Sequence, residues 1–124
     1  MTNKQLNINQ VQAIDFVKYS GVSGDFNPVH TVPEVAQKNG HSQPIAHGMY
    51  IMGLATKALE EWYSKHHLLK FEVRFLSPTY AGDMLTITEK SNTEIKVGYF
   101  QGIIEVTDSQ KQVKLKGNYE LKRD

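Results

Sequence analysis

An acid and an imidazole stand five residues apart in the stretch Gly24-Asp25-Phe26-Asn27-Pro28-Val29-His30, which has the composition of a constrained loop. Glycine permits unusual backbone angles, Pro28 fixes its own φ and pushes Asn27 away from the helical region, and Asn and Asp hydrogen-bond their own backbone. Asp25 and His30 are therefore held on rigid backbone, as general acid and base chemistry requires. Further along, Pro44-Ile45-Ala46-His47-Gly48-Met49 opens a strongly apolar run. Each residue also has a plainer reading. Asp25 alone fits an Asx turn that satisfies the Asn27 or Phe26 backbone, and His30 alone fits an ordinary loop histidine. His47 fits a capping or packing role, and His41, His66 and His67 read as surface or solvent-edge residues. A metal site built from His30, His41 and His47 has no recognisable ligand spacing.

Hydrophobic periodicity outlines the elements that must position these groups. Residues 9–21 predict a helix capped by Asn9, with Val11, Ile14, Phe16, Val17 and Tyr19 mostly on one stripe and Gly21 as its stop. It delivers the chain to the Asp25 loop. Residues 33–39 predict a shorter helix, with Pro33 at its first position and Gly40 just past its end. From Gly48 to about residue 66 the helical pattern is apolar nearly all round, Met49, Tyr50 and Met52 reading as core, so something must enclose it. Strand patterns follow at residues 69–75, 84–89, 96–106 and 111–121, the last two joined by a turn at Asp108-Ser109-Gln110, with a weak edge strand at residues 5–9. In the last strand Val113, Leu115, Gly117, Tyr119 and Leu121 alternate with Lys114, Lys116, Asn118, Glu120 and Lys122, which predicts one wet face.

Composition narrows the function classes. Fourteen Lys and Arg against 13 Asp and Glu leave a net charge of +1, too weak a field to argue for nucleic acid. With no Cys there is no disulfide framework, thiolate nucleophile or Cys-based metal site. Residues 1–10 are polar and lack the apolar core of a secretory signal, and no apolar run is long enough to span a bilayer, so a soluble cytoplasmic protein is expected. The 124 residues fit a single domain with one core.

Consecutive strands with short connections predict an antiparallel meander that curls around the enclosed helix, the α+β layout of a hotdog fold. One sheet and one helix make a thin layer, so two copies are expected to join as a homodimer. The residues 19–30, ending in Ser23-Gly24-Asp25-Phe26-Asn27-Pro28-Val29-His30, resemble the signature of the MaoC-like dehydratases, which include the R-specific enoyl-CoA hydratases of the hydratase 2 type. Pro44-Ile45-Ala46-His47-Gly48-Met49 resembles the second block of the same family, and the layout matches over essentially the whole of residues 1–124.

That resemblance implies reversible hydration of trans-2-enoyl thioesters of coenzyme A or acyl carrier protein to (R)-3-hydroxyacyl thioesters, in fatty-acid metabolism and without a cofactor or metal. It implies that Asp25 and His30 hold and activate water, that the Gly48 backbone N–H polarises the thioester carbonyl, and that Asn27 braces the loop. Thr56 falls where relatives place a supporting Ser. A helix N-terminus suits the Gly48 role, since it offers an unpaired N–H and a partial positive charge. Two departures, Val32 where the family has Asp and His41 where an aromatic precedes the second block, leave these groups in place. They keep open a changed substrate, or a protein that binds acyl thioesters without turning them over. A hotdog thioesterase is disfavoured, since those enzymes lack the Asp-Asn-Pro-His loop.

Overall fold

In chain order the computed structural model, which describes residues 4–124, runs through β1 (Gln5–Ile8), α1 (Ala13–Ser23), a 3-10 turn (Pro28–His30), α2 (Pro33–Lys38), α3 (Gly48–Trp62), β2 (His66–Phe75), β3 (Leu85–Lys96), β4 (Tyr99–Thr107) and β5 (Val113–Arg123). Residues 1–3, which the sequence reading takes into the same domain, lie outside the described residues. The five strands form one antiparallel sheet in the order β1-β3-β4-β5-β2. Its inner face presents Leu85 and Ile87, Ile104 and Val106, and Leu115, Tyr119 and Leu121, which join Ile51, Ala55, Ala58 and Leu59 of α3 in one buried cluster. This is the hotdog arrangement, a curved sheet around one long helix. Ala55 and Ala58 are fully buried and have no side chain to hold the helix off the sheet, so a larger residue there would overpack the seam at a cost of about 1–3 kcal/mol.

Several boundaries differ from the sequence reading. The meander holds only for β3, β4 and β5; β2 leaves α3 and pairs with β5 at the opposite edge from β1, and the connection 76–84 then crosses back to β3. Helix α1 begins after Gln12, whose N–H donates to the Asp15 carboxylate at 2.8 Å, and not at Asn9. It runs through Gly21 to end at Gly24, whose φ of 80° is the left-handed cap. Helix α3 stops at Trp62, so His66 opens β2, and its half-buried ring packs against Tyr63 and Phe100 at the solvent edge. Lys96 ends β3, because the hairpin turns at Val97-Gly98, one residue later than the start expected for the next strand. The edge strand and the short helix α2 stand where expected, and Asp108 builds the β4–β5 turn by accepting from the Gln110 and Gln112 N–H groups.

The face of β5 expected to be wet is dry at its first lysine. Lys114 is 3% exposed, donates to the Pro78 carbonyl at 2.8 Å and pairs with Asp108 at 3.3 Å and Asp83 at 3.6 Å. Burial pushes the Asp108 carboxyl up, but the N–H of Gln112, the Lys114 ammonium and the N–H of Gln110 outweigh it and hold the group below the ordinary carboxylate range. The ammonium is sequestered because the 76–83 loop folds over it. Among the described residues no helix is long and apolar enough to cross a membrane.

At the far end of α3 a second polar group is buried. Glu89, 1% exposed, accepts from the Tyr63 and Tyr119 hydroxyls, and Asn92 Nδ2 donates to Tyr119 at 2.9 Å. Burial, reinforced by the bond to Glu89, pushes both phenols above their ordinary value of 10. A group whose folded pKa is raised contributes stability that is full below its unfolded pKa and is lost as pH rises above it. The urea midpoint is therefore expected to fall between about pH 9 and 11. Tyr119→Phe should lower stability at pH 8 by about 1.5–3 kcal/mol and make the alkaline fall shallower, as chemical denaturation at the two pH values would read.

Candidate active site

The loop between α1 and the 3-10 turn is a chain of side-chain-to-backbone bonds. Gly24 N–H returns to the Ser20 carbonyl at 2.9 Å, Asp25 N–H reaches Ser23 Oγ at 3.1 Å, and Asn27 N–H reaches Asp25 Oδ1 at 3.2 Å. Asn27 Oδ1 in turn accepts from Val29 N–H at 3.0 Å and caps the turn that presents His30. Asp25 thus makes the Asx turn of its plainer reading with one oxygen, while the other, Oδ2, lies 3.8 Å from His30 Nε2. Its side chain is half exposed and that of His30 is mostly buried.

His30 is oriented from its far side. Its Nδ1 lies 2.8 Å from the Ile45 carbonyl oxygen, which can only accept, so Nδ1 carries a proton and the lone pair of the neutral form is the one at Nε2, on the side of Asp25. Ile45 N–H bonds back to the Val29 carbonyl, and Ala46 N–H to Thr79 at 2.7 Å, which pins the strand-like entry to α3. Gly48 is the first residue of α3, and its N–H is one of the orphan donors of the first turn. Among the described residues it meets no acceptor. A side chain at this position would be tight, since a Cβ would lie 3.0 Å from the tip of the Phe75 ring, which would have to shift.

Asp25, Gly48, His47, Tyr19, Met49 and Phe75 line one cavity of about 230 Å³. Gly48 and Phe75 also border a second, more apolar one of about 430 Å³ running along Ile45, Ile51, Leu76 and Pro78. Asp25 and Gly48 thus share a cavity, His30 meets Asp25 from behind its wall, and Asn27 braces the loop that carries both. Thr56 stands two turns along α3, its Oγ1 donating to the Met52 carbonyl at 3.0 Å, and lines neither cavity. His41 stands apart, 3.3 Å from the Tyr80 hydroxyl, and His67 pairs with Asp124 on the surface. Met49, read as core, is 59% exposed on the cavity rim, because the sheet of one chain covers only one side of α3.

His47 makes no side-chain cap on α3. Its Nε2 lies 3.1 Å from Ser20 Oγ and 3.2 Å from the Asp25 carbonyl oxygen, and its ring stacks on His30 with centroids 3.8 Å apart. The sequence reading missed this contact; its one signal is Ser20, a polar residue four places after Phe16 on the buried stripe of α1. Asp25, His30 and His47 place donor atoms within 4.8 Å of one another. The geometry does not suit a metal, however: imidazole lone pairs lie in the ring plane, and two rings stacked at 23° cannot aim both at one ion.

A family model described as MaoC like domain matches residues 2–114. Over 66 residues the chain is 41% identical to the peroxisomal hydratase-dehydrogenase-epimerase of Saccharomyces cerevisiae, covering 53% of this chain and 7% of that protein. Over 81 residues it is 36% identical to the peroxisomal enoyl-CoA hydratase 2 of Arabidopsis thaliana, covering 63% of this chain and 26% of that protein. The chain therefore spans only a small part of the length of these relatives. An unliganded R-hydratase from Pseudomonas aeruginosa superimposes with a TM-score of 0.88 at 21% identity, over 99% of this chain and 81% of that one, a likeness of fold.

Burial holds the His47 ring below the ordinary histidine range, against the raising effect of its bond to the Asp25 backbone. The unfolded chain then binds a proton near pH 6.5 that the native ring resists, so stability is expected to fall as pH drops below that value. Urea midpoints at about pH 7.5 and 5.5 should show the loss, and His47→Phe should narrow the difference between them.

Proposed function

The chain belongs to the MaoC-like domain family, and on that premise we propose that it is a hydro-lyase adding water reversibly to trans-2-enoyl thioesters to give (R)-3-hydroxyacyl thioesters, in fatty-acid synthesis or breakdown. The observation that carries the reading is the meeting of Asp25 Oδ2 and His30 Nε2, 3.8 Å apart, beside a cavity whose wall includes the first residue of α3. A water molecule can bridge two acceptors at that separation, each at ordinary hydrogen-bond distance. The Gly48 N–H and the helix dipole supply what the carbonyl oxygen needs as negative charge develops on it.

The steps follow from these roles. The thioester carbonyl oxygen accepts from the Gly48 N–H, which draws electrons from the conjugated double bond. Asp25 takes a proton from the bridging water as its oxygen bonds to the β carbon, and the electron pair moves through the α carbon to the carbonyl oxygen. His30, with Nδ1–H committed to Ile45, holds the water at Nε2. The proton removed from water returns from the Asp25–His30 pair to the α carbon, so the addition closes without an outside acid. Asn27 keeps the turn in shape, and Thr56 serves the supporting helix from two turns away.

The carrier arm is that of coenzyme A or acyl carrier protein, which present the same phosphopantetheine. A homodimer is part of the proposal: Phe26, Met49, Phe75 and Leu76 are all about half exposed or more around the cavity mouths and the open side of α3, an apolar surface that a second copy would cover. The proposal places the protein in the cytoplasm, where relatives named above are peroxisomal.

Mixing the protein with crotonyl-CoA, and then with a longer trans-2-enoyl-CoA, should give rapid loss of enoyl absorbance. Asp25→Asn is expected to lower kcat by about 10²–10⁴-fold while circular dichroism and thioester binding stay near wild type. Near-normal turnover of that variant would refute the assignment of Asp25. No turnover by wild type on coenzyme A or carrier-protein substrates, with binding retained, would turn the reading to a thioester-binding protein.

A further inference from the structure

No step above uses His47, yet the ring is 2% exposed and touches three of the segments that build the site. The Asp25 carbonyl, 3.2 Å from Nε2, can only accept, so the neutral ring carries its proton there, with Ser20 Oγ close enough at 3.1 Å to share it. Nδ1 is then left with the lone pair, and that atom is buried with no partner. The ring face lies against His30, centroids 3.8 Å apart, and Tyr19 flanks it at 4.8 Å. One side chain therefore joins the end of α1, the main chain of the proposed acid and the face of the proposed histidine, from the residue that precedes α3.

We infer that His47 is a positioning residue for the Asp25–His30 pair: its Nε2–H holds the Asp25 main chain against α1, and its ring face seats His30 so that Nε2 of that residue meets the Asp25 carboxylate. Asp25 and His30 are anchored otherwise by bonds within their own loop and by the Ile45 carbonyl, none of which fixes the tilt of the His30 ring. A flat neighbour at stacking distance does. The arrangement requires an uncharged His47, since a proton on Nδ1 would set a cation face to face with His30 whenever that ring is protonated. The titratable groups facing it are Asp25 and His30 from the loop and Tyr19 from α1.

The kinetic consequence rests on the hydratase reading, whereas the geometric one does not, so two readouts separate them. His47→Phe keeps the flat face and loses the Nε2–H; His47→Gln keeps a donor and loses the face. Misplacing the pair by about 1 Å should lower kcat on crotonyl-CoA by roughly 10²-fold in each variant, with KM changed far less. Nitrogen-15 NMR should find His30 as the Nδ1–H tautomer in wild type, and the same tautomer with a shifted titration in His47→Gln. Ser20→Ala, which removes only the partner hydroxyl, should move the same His30 signals less and in the same direction, and it decides the matter if the ring variants fail to fold. The inference is overturned if His30 keeps its wild-type titration in every folded variant, or if kcat stays within about twofold of wild type. Absence of turnover in wild type would sink the hydratase reading alone, and the His30 signals would still decide for or against His47.

Discussion

The 2.8 Å bond from His30 Nδ1–H to the Ile45 carbonyl joins the two stretches on which the site is built, and most of the molecule can be described by what holds its two ends. On one side, Asn27 caps the turn that presents His30. On the other, Ile45 is held by Val29 and by an antiparallel bridge to Tyr80, and Ala46 by the Thr79 carbonyl. The bond settles the tautomer of the ring and, through the same backbone, the place where α3 starts. A proton-accepting nitrogen and an unpaired helix-terminal N–H are thereby set by one short segment, so their separation does not depend on flexible side chains.

The loop that supports this segment is itself pinned from the sheet. Lys114, buried on β5, donates to the Pro78 carbonyl and faces Asp83 and Asp108, while Leu76 N–H bonds to the Lys114 carbonyl. An ammonium out of water costs free energy unless it is paired and hydrogen-bonded, and here Pro78, Asp83, Asp108 and Gln112, from two turns, surround it with oxygens. Removing one partner would leave a buried charge, so the 76–83 loop and the sheet are coupled through this group. The same loop carries Thr79 and Tyr80 to the entry of α3, so a residue on the last strand supports the site without lining its smaller cavity.

Gly48 shows how packing and chemistry select the same residue. In the proposed reaction the N–H at the first position of α3 meets the thioester carbonyl, and a Cβ there would press on the Phe75 ring at 3.0 Å. Phe75 in turn borders both cavities together with Gly48, so the same contact that crowds a side chain at the start of α3 lies between them. The open flank of α3, with Met49 exposed and Met52 half-buried, is the counterpart of a sheet that wraps the helix from one side.

Local chemistry was legible in the residues themselves. Asn27 before Pro28, Asp25 after Gly24 and the apolar run from Gly48 specify a rigid turn and a buried helix, because φ restriction, Asx bonding and 3.6-residue periodicity act within a few residues. The two motif blocks carried the family as well, and the strand patterns carried the hotdog layers. Strand order was not legible: β2 pairs with β5, some forty residues on, and alternation says which face is buried but not which neighbour is chosen. Nor was the burial of Lys114, which depends on a loop folding over one end of the strand, nor the seat of His47, whose partners Ser20 and Asp25 lie 27 and 22 residues away. Such contacts form between surfaces that exist only once the sheet has closed on α3, and no local spacing records them.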